Sequence, residues 1–171
     1  MRGLGFKFDI GSGIPTVADL AAGANTGHRI HMRNYDTLGV LVHKGVASAG
    51  TDNVVVTLQE HTAATAGTSQ NLAAITDYYV KSEAALDGDE AWVETTQTAG
   101  ATLTLTGSTY ATLQALVFFE IEAGSLSAGY EWLSVNIADP GTGGTIPGGV
   151  LYIPSGLKIQ RRPDLLAQPN L

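Results

Sequence analysis

The chain of 171 residues has no cysteine. That excludes disulfide frameworks and thiolate-held metal sites, and it leaves the redox compartment unmarked. Charged residues make up only 15% of the chain, and acids outnumber bases to give a formal net charge of −7. Phosphate binding needs a clustered basic surface, so no nucleic-acid partner is expected. No apolar run approaches the roughly 20 residues that a membrane-spanning helix needs, so no membrane partner is expected either. The opening MRGLGFKFDIGSG lacks the long apolar core of a signal peptide. Nor does any stretch carry helical periodicity long enough for a βαβ unit. Hydrophobic residues still reach 44%, enough for one domain with its own core.

What is present is β-forming sequence punctuated by glycine. Residues 36–60, DTLGVLVHKGVASAGTDNVVVTLQE, hold two runs, Leu38–His43 and Val54–Gln59, around a turn-forming segment. In the second run Val54, Val56 and Leu58 point one way and Val55, Thr57 and Gln59 the other, the pattern of a strand with one buried face. The first is apolar on both faces, at Leu38, Val40, Leu41 and Val42, as a strand deep in a sheet would be. These two runs are expected to be the central strands. Further strands are expected in HRIHMRNY (28–35), DYYVKSE (77–83), AWVETTQ (91–97), ATLTLTG (101–107), ALVFFEIE (115–122), EWLSVNIAD (131–139), VLYIP (150–154) and GLKIQRR (156–162). A helical turn or two is expected from Thr16, stopped by Gly23, and a short helix near Asn71–Ile75. Closely spaced strands with glycine-rich turns predict an all-β fold, an antiparallel β-sandwich or barrel over residues 28–162. An extended N-terminal arm (1–27) and a C-terminal tail (163–171) flank it.

Candidate chemistry is sparse. His28 and His31 fall on opposite faces of a presumed strand and cannot share an ion without a bend. Glu60 and His61 are adjacent on a strand, so their side chains point apart and make a poor acid–base pair. The acids Glu83, Asp87, Asp89, Glu90 and Glu94 resemble half of a calcium loop but lack the remaining ligand spacing, and a solvated turn is the simpler reading. No G-x-S-x-G elbow is present, and GTGGTIPGG lacks the lysine of a phosphate loop. Trp92 and Trp132 could line a carbohydrate groove, although a tryptophan on a strand is more often a core anchor. No catalytic residue, cofactor or metal ligand is therefore assigned, and the chain is not expected to be an enzyme.

The two ends carry the interaction signal. Phe6, Phe8 and Ile10 alternate with Leu4 along an extended segment that could lay one apolar edge on a partner. At the other end Lys158, Arg161 and Arg162 face only Asp164, with Leu165, Leu166 and Leu171 as apolar anchors. Pro163 and Pro169 keep that segment out of a helix. It reads equally as a frayed terminus or as a basic, apolar docking arm that orders on a partner surface.

The run LGVLVHKG, a glycine-containing break, then DNVVVTLQEHTAATAGTSQNL resembles small structural proteins of tailed bacteriophages. In those a strand ending in L-Q-E/Q enters a t-A-t-a-G-t-s-q-N/K-L loop. YEWLSVNIADP and the ending GVLYIPSGLKIQRRPDLL are likewise similar to phage virion proteins, especially of actinobacterial phages, and the likeness spans roughly residues 28–162. It implies a minor capsid or decoration protein on the outside of an HK97-type head, with the major capsid protein as partner. It also implies a small homo-oligomer, a trimer favoured, made in the host cytoplasm and carried on the virion surface. A head–tail joining or tail protein is the alternative within that class, and a carbohydrate-binding module the alternative from another.

Overall fold

Strict alternation along Val54–His61 sorts its side chains into a buried and a partly exposed set, and the same sorting recurs along Gln114–Glu122. Strands with one apolar face each are stable only when two such faces meet, and here they meet as two antiparallel sheets. The structure, a computed structural model, describes residues 4–17, 19–20, 25–50, 52–138, 144–159, 162 and 164. The strands in chain order are β1 (Gly11–Val17), β2 (Asn25–Thr26), β3 (Ile30–His31), β4 (Thr37–Lys44), β5 (Val54–His61) and β6 (Ser69–Asn71). They continue with β7 (Ile75–Glu83), β8 (Val93–Gly100), β9 (Thr102–Leu105), β10 (Gln114–Glu122), β11 (Trp132–Ile137) and β12 (Gly148–Ser155). One helical turn, α1 (Gly107–Tyr110), precedes β10.

The front sheet runs β1-β12-β4-β10-β7-β8, and the back sheet β2-β11-β5-β6, with β3 also on β11 and β9 also on β5. The fold is thus the sandwich of the two expected forms. The two central runs, β4 and β5, lie in different sheets: β4 pairs with β10 and β12, whereas β5 pairs with β6, β9 and β11. Between the sheets lie Leu38, Val40 and Val42 of β4, Val117, Phe119 and Ile121 of β10, and Val54, Val56 and Leu58 of β5. Leu133, Val135 and Ile137 of β11 complete the layer. Tyr152 of β12 pins the layers together: its hydroxyl accepts the Val135 backbone N–H across the core at 2.8 Å. The approach depends on Gly27, where an added Cβ would stand 2.1 Å from the Val135 carbonyl oxygen.

Several local expectations change. The segment expected as an N-terminal arm supplies β1 to the front sheet and β2 to the back one. Thr16 and Val17 extend β1 instead of opening a helix, and most of that expected helix (18 and 21–24) lies outside the described residues. The long strand expected over 28–35 shrinks to Ile30–His31 followed by a 3-10 turn, Met32–Asn34. Asn71–Ile75 is the junction of β6 and β7, not a helix. Lys158 and Ile159 form a bend beyond β12, not a strand, because Gly156 at φ +65° turns the chain away from the ladder.

Candidate interaction surface

Apolar residues beyond those the core needs lie on the outward side of the front sheet. Because β10 pairs Phe118 with Leu41 of β4 and with Tyr79 of β7, and β4 pairs Leu41 with Leu151, these four side chains form one row across the strands. Trp92 and Ile153 join Leu41, Tyr79 and Phe118 around a shallow depression of about 520 Å³. Trp92 is 45% exposed and Leu151 45%. Gly39 on β4 keeps the depression open beneath the Phe118 ring, whose Cε2 an added Cβ would meet at 3.1 Å.

The N-terminal candidates extend this band. Ser12 pairs with Leu151 and Phe8 bridges to Ser155, a register that sets Ile10 opposite Ile153. Ile10 is 61% exposed and Phe8 half-buried, whereas Phe6 sits half-buried in the 3-10 turn Leu4–Phe6. Phe8 and Ile10 are therefore held on the front sheet rather than on a separate arm. Of the C-terminal candidates, Lys158 and Arg162 are exposed, and Arg162 pairs with Asp164 at 2.8 Å. Arg161, Leu165 and Leu166 lie outside the described residues.

The band has a charged margin. The Tyr79 hydroxyl donates to Glu94 at 3.3 Å, and the negative charge of Glu94, with that hydrogen bond and the charges of Asp77 and Glu120, pushes its pKa up. At the opposite margin the Lys81 ammonium stands 5.3 Å over the Trp92 ring. The other tryptophan differs. Trp132 is buried, stacked at 4.3 Å on His31, whose Nε2 meets Glu131 at 3.2 Å. A glycan platform thus has Trp92 available and Trp132 enclosed.

The outward side of the back sheet is polar and covered. Loop 62–68 folds over it, clamped by Arg29, whose guanidinium donates to the carbonyls of Ala63 (2.8 Å) and Ala66 (2.6 Å) and to Ser69 Oγ (3.2 Å). Beneath, His61 is bonded through Nδ1 to Ser69 Oγ (2.7 Å) and through Nε2 to Ser134 Oγ (2.8 Å). Burial, together with the Arg29 charge and against that of Glu60, pulls the His61 pKa down to about 4. A serine beside a histidine can be a nucleophile and its base, but Ser134 is buried and its His61 has no orienting carboxylate on the other nitrogen. Glu60 points to the opposite side, as adjacent strand residues must. Burial would raise its pKa, yet hydrogen bonds from Ser127 N–H (2.8 Å) and Gln70 Nε2 (2.6 Å) outweigh this and hold it below the usual carboxylate value.

One buried cation escaped the sequence reading. Lys44 at the end of β4 is enclosed, and its ammonium donates to the carbonyls of Gly45 (2.8 Å), Tyr110 (2.6 Å) and Leu113 (2.9 Å). Desolvation lowers its pKa, all three donors are used, and two of them fasten the end of α1 and the turn after it to the sandwich. Its position on the inward side of β4, after Leu38, Val40 and Val42, was the available signal. Among the described residues, Glu83, Asp87 and Asp89 form the one acidic group able to offer a hard cation three oxygens, mutually within 4.8 Å. All three are exposed, and Asp89 foremost raises the pKa of Glu83, as crowded carboxylates do in water. Glu94 belongs instead to the band margin.

No family model, no curated protein and no solved structure matches this chain.

Proposed function

We propose that the protein is a structural component of a tailed-phage virion, a decoration protein that binds the outside of the head and stabilises it in contact with the major capsid protein. The observation that carries this reading is the uncovered apolar band on the front sheet. Apart from Ile10, its side chains keep half or less of their surface in water. Covering each would therefore contribute about half of the 1.5–3 kcal/mol gained when a residue moves from full exposure to full burial, and the face favours assembly. The polar clusters of the back sheet, by contrast, spend their hydrogen bonds internally. Repetition over a lattice turns modest affinity at each site into a stable coat. The phage-like runs around β4–β6 and β11–β12 point the same way. The test is co-sedimentation of the purified protein with capsid shells that lack it. Saturation at a fixed ratio to the major shell protein is expected, and failure to saturate or to bind overturns the decoration role.

A second reading rests on Trp92. Its exposed indole beside Tyr79 is an aromatic platform of the kind sugar rings stack on. Glycan-array binding that disappears in Trp92→Ala, with the fold intact, would favour a carbohydrate-binding module instead.

A further inference from the structure

We infer that the apolar band of one copy receives the C-terminal segment, residues 160–171, of a second copy, so that the chain assembles head to tail through its own tail. This deepens the assembly part of the reading above, and it gives the band to a contact between copies rather than to the capsid.

Two complementary chemistries meet in this pairing. The band offers Leu41, Phe118, Tyr79, Trp92 and Ile153 around an open depression. Beside it the Tyr79 hydroxyl donates to Glu94 at 3.3 Å. Asp77 and Glu120 lie next on the same outward side of β7 and β10, with Lys81 the one cation there among the described residues, drawn over Trp92. A fitting occupant is therefore apolar with basic side chains close by, from a chain whose acids otherwise outnumber its bases. The segment QRRPDLLAQPNL has that composition. With Lys158 just before it, it gathers three of the chain's nine basic residues, and it adds Leu165, Leu166 and Leu171 against the single acid Asp164. Leucines would occupy the depression while Arg161 and Arg162 meet the acidic margin, where charge complementarity fixes register and orientation. Pro163 and Pro169 restrict the backbone of the segment, which therefore loses less freedom on docking.

As far as Ile159, the path of the chain points the tail away from its own band. After Ser155 the chain turns at Gly156, and the Lys158 N–H donates to the Asn34 carbonyl at 3.1 Å. Asn34 ends the 3-10 turn that follows β3 of the back sheet. Lys158 there lines a depression of about 260 Å³ with Met32, Arg33, Tyr130 and Glu131. As far as Ile159 the chain therefore follows residues 34–36, the link from the 3-10 turn into β4, at the end of the sandwich, while the band lies on the outward side of the front sheet. A tail leaving one copy and a band on the next make a heterologous contact, which closes into a ring when the rotation between copies allows.

The test is sedimentation velocity on the full-length protein over a wide concentration range, with thermal unfolding of every variant as a folding control. The wild type is expected to form one small closed oligomer. Leu165→Asp with Leu166→Asp should weaken association by about 100-fold or more, since two apolar anchors are replaced by charges, and leave unchanged the unfolding midpoint measured at concentrations where the wild type is dissociated. Glu94→Arg with Glu120→Arg, and separately Arg161→Glu with Arg162→Glu, should each weaken it by about 10-fold, and the four changes together should restore it to within about 3-fold of wild type. An oligomer indifferent to the leucine changes, or charge reversals that add instead of cancelling, overturns the inference. So does a monomeric wild type, and if its Trp92 emission responds to the leucine changes the tail lies on its own band. Tail-dependent oligomers that do not bind shells would leave this inference standing and remove the decoration role.

Discussion

The two outward faces of this sandwich are built from similar strands and are finished in opposite ways. The back face carries His61, Ser134, Asn136 and Gln59, and it is roofed by loop 62–68 under the Arg29 clamp. The front face carries leucine, isoleucine and aromatic side chains, among them Ile10, Trp92 and Leu151, which are exposed. Buried polar groups are costly unless each finds a partner, so the roofed face must be internally complete. Exposed apolar groups carry no such requirement within one molecule, and their surplus is available to another. The difference separates a face that stabilises the fold from a face whose apolar surface is left to solvent.

The same substitution on each face gives the largest contrast. Trp132→Ala removes a ring that is buried and stacked on His31, and it should destabilise the protein by about 3–5 kcal/mol in denaturant titration. Trp92→Ala loses an exposed ring and its contact with Lys81, worth about 0.5–1 kcal/mol. Equal losses at the two sites would erase the distinction between the faces.

Acid should attack the covered face next. The His61 pKa is depressed in the folded protein, from 6.5 to about 4, so the unfolded chain binds more protons in that interval. Stability from this group is therefore fully present above pH 6.5 and is lost as pH falls toward 4, by up to about 3 kcal/mol. Glu60, also depressed, adds its loss at lower pH, below the ordinary carboxylate value of 4.5. His61→Gln should flatten the stability–pH curve between 6.5 and 4 and spare the steeper part below it. An unchanged slope in that window would assign the acid sensitivity elsewhere.

Loosening the roof comes third. Arg29→Met keeps much of the side-chain bulk and deletes the bonds to Ala63, Ala66 and Ser69. Hydrogen bonds to charged groups contribute about 1.5–3 kcal/mol, and water can satisfy the partly exposed loop carbonyls, so a loss of about 2 kcal/mol is expected. Amide exchange should quicken first in residues 62–68. It should also raise the His61 pKa, since the Arg29 charge helps to depress it.

Much of the sandwich was legible because one-sided alternation is a local signal: Val54–Gln59, ALVFFEIE and EWLSVNIAD each announce their strand by it. The band was partly legible too. Leu41 with Leu38, Val40 and Val42, and Phe118 with Phe119, put apolar groups on both sides of a central strand. Two-sided apolarity suggests a strand covered on both faces, yet here the second side of the front sheet is bare. Only the tertiary arrangement tells a covered face from an exposed one. The Arg29 clamp and the Lys44 lock could not be read at all, because their acceptors are backbone carbonyls, which every residue has and no pattern marks. The sheet membership of β4 and β5 was equally hidden, since alternation fixes a face and not a partner.

The smallest effect is the most informative about the front face. Leu151 lies in the ladder beside Leu41 and Ser12, and it is 45% exposed. Leu151→Thr keeps a good strand former there and removes apolar area of which nearly half is already in water. The stability of a single copy should move by no more than about 0.5 kcal/mol in chemical denaturation at low concentration. At high concentration the same change should weaken self-association, because the lost area would be buried only between copies. A stability loss as large as that of Trp132→Ala would mean that the front face is packed within the monomer. The contrast between the two faces would then fail at its simplest point.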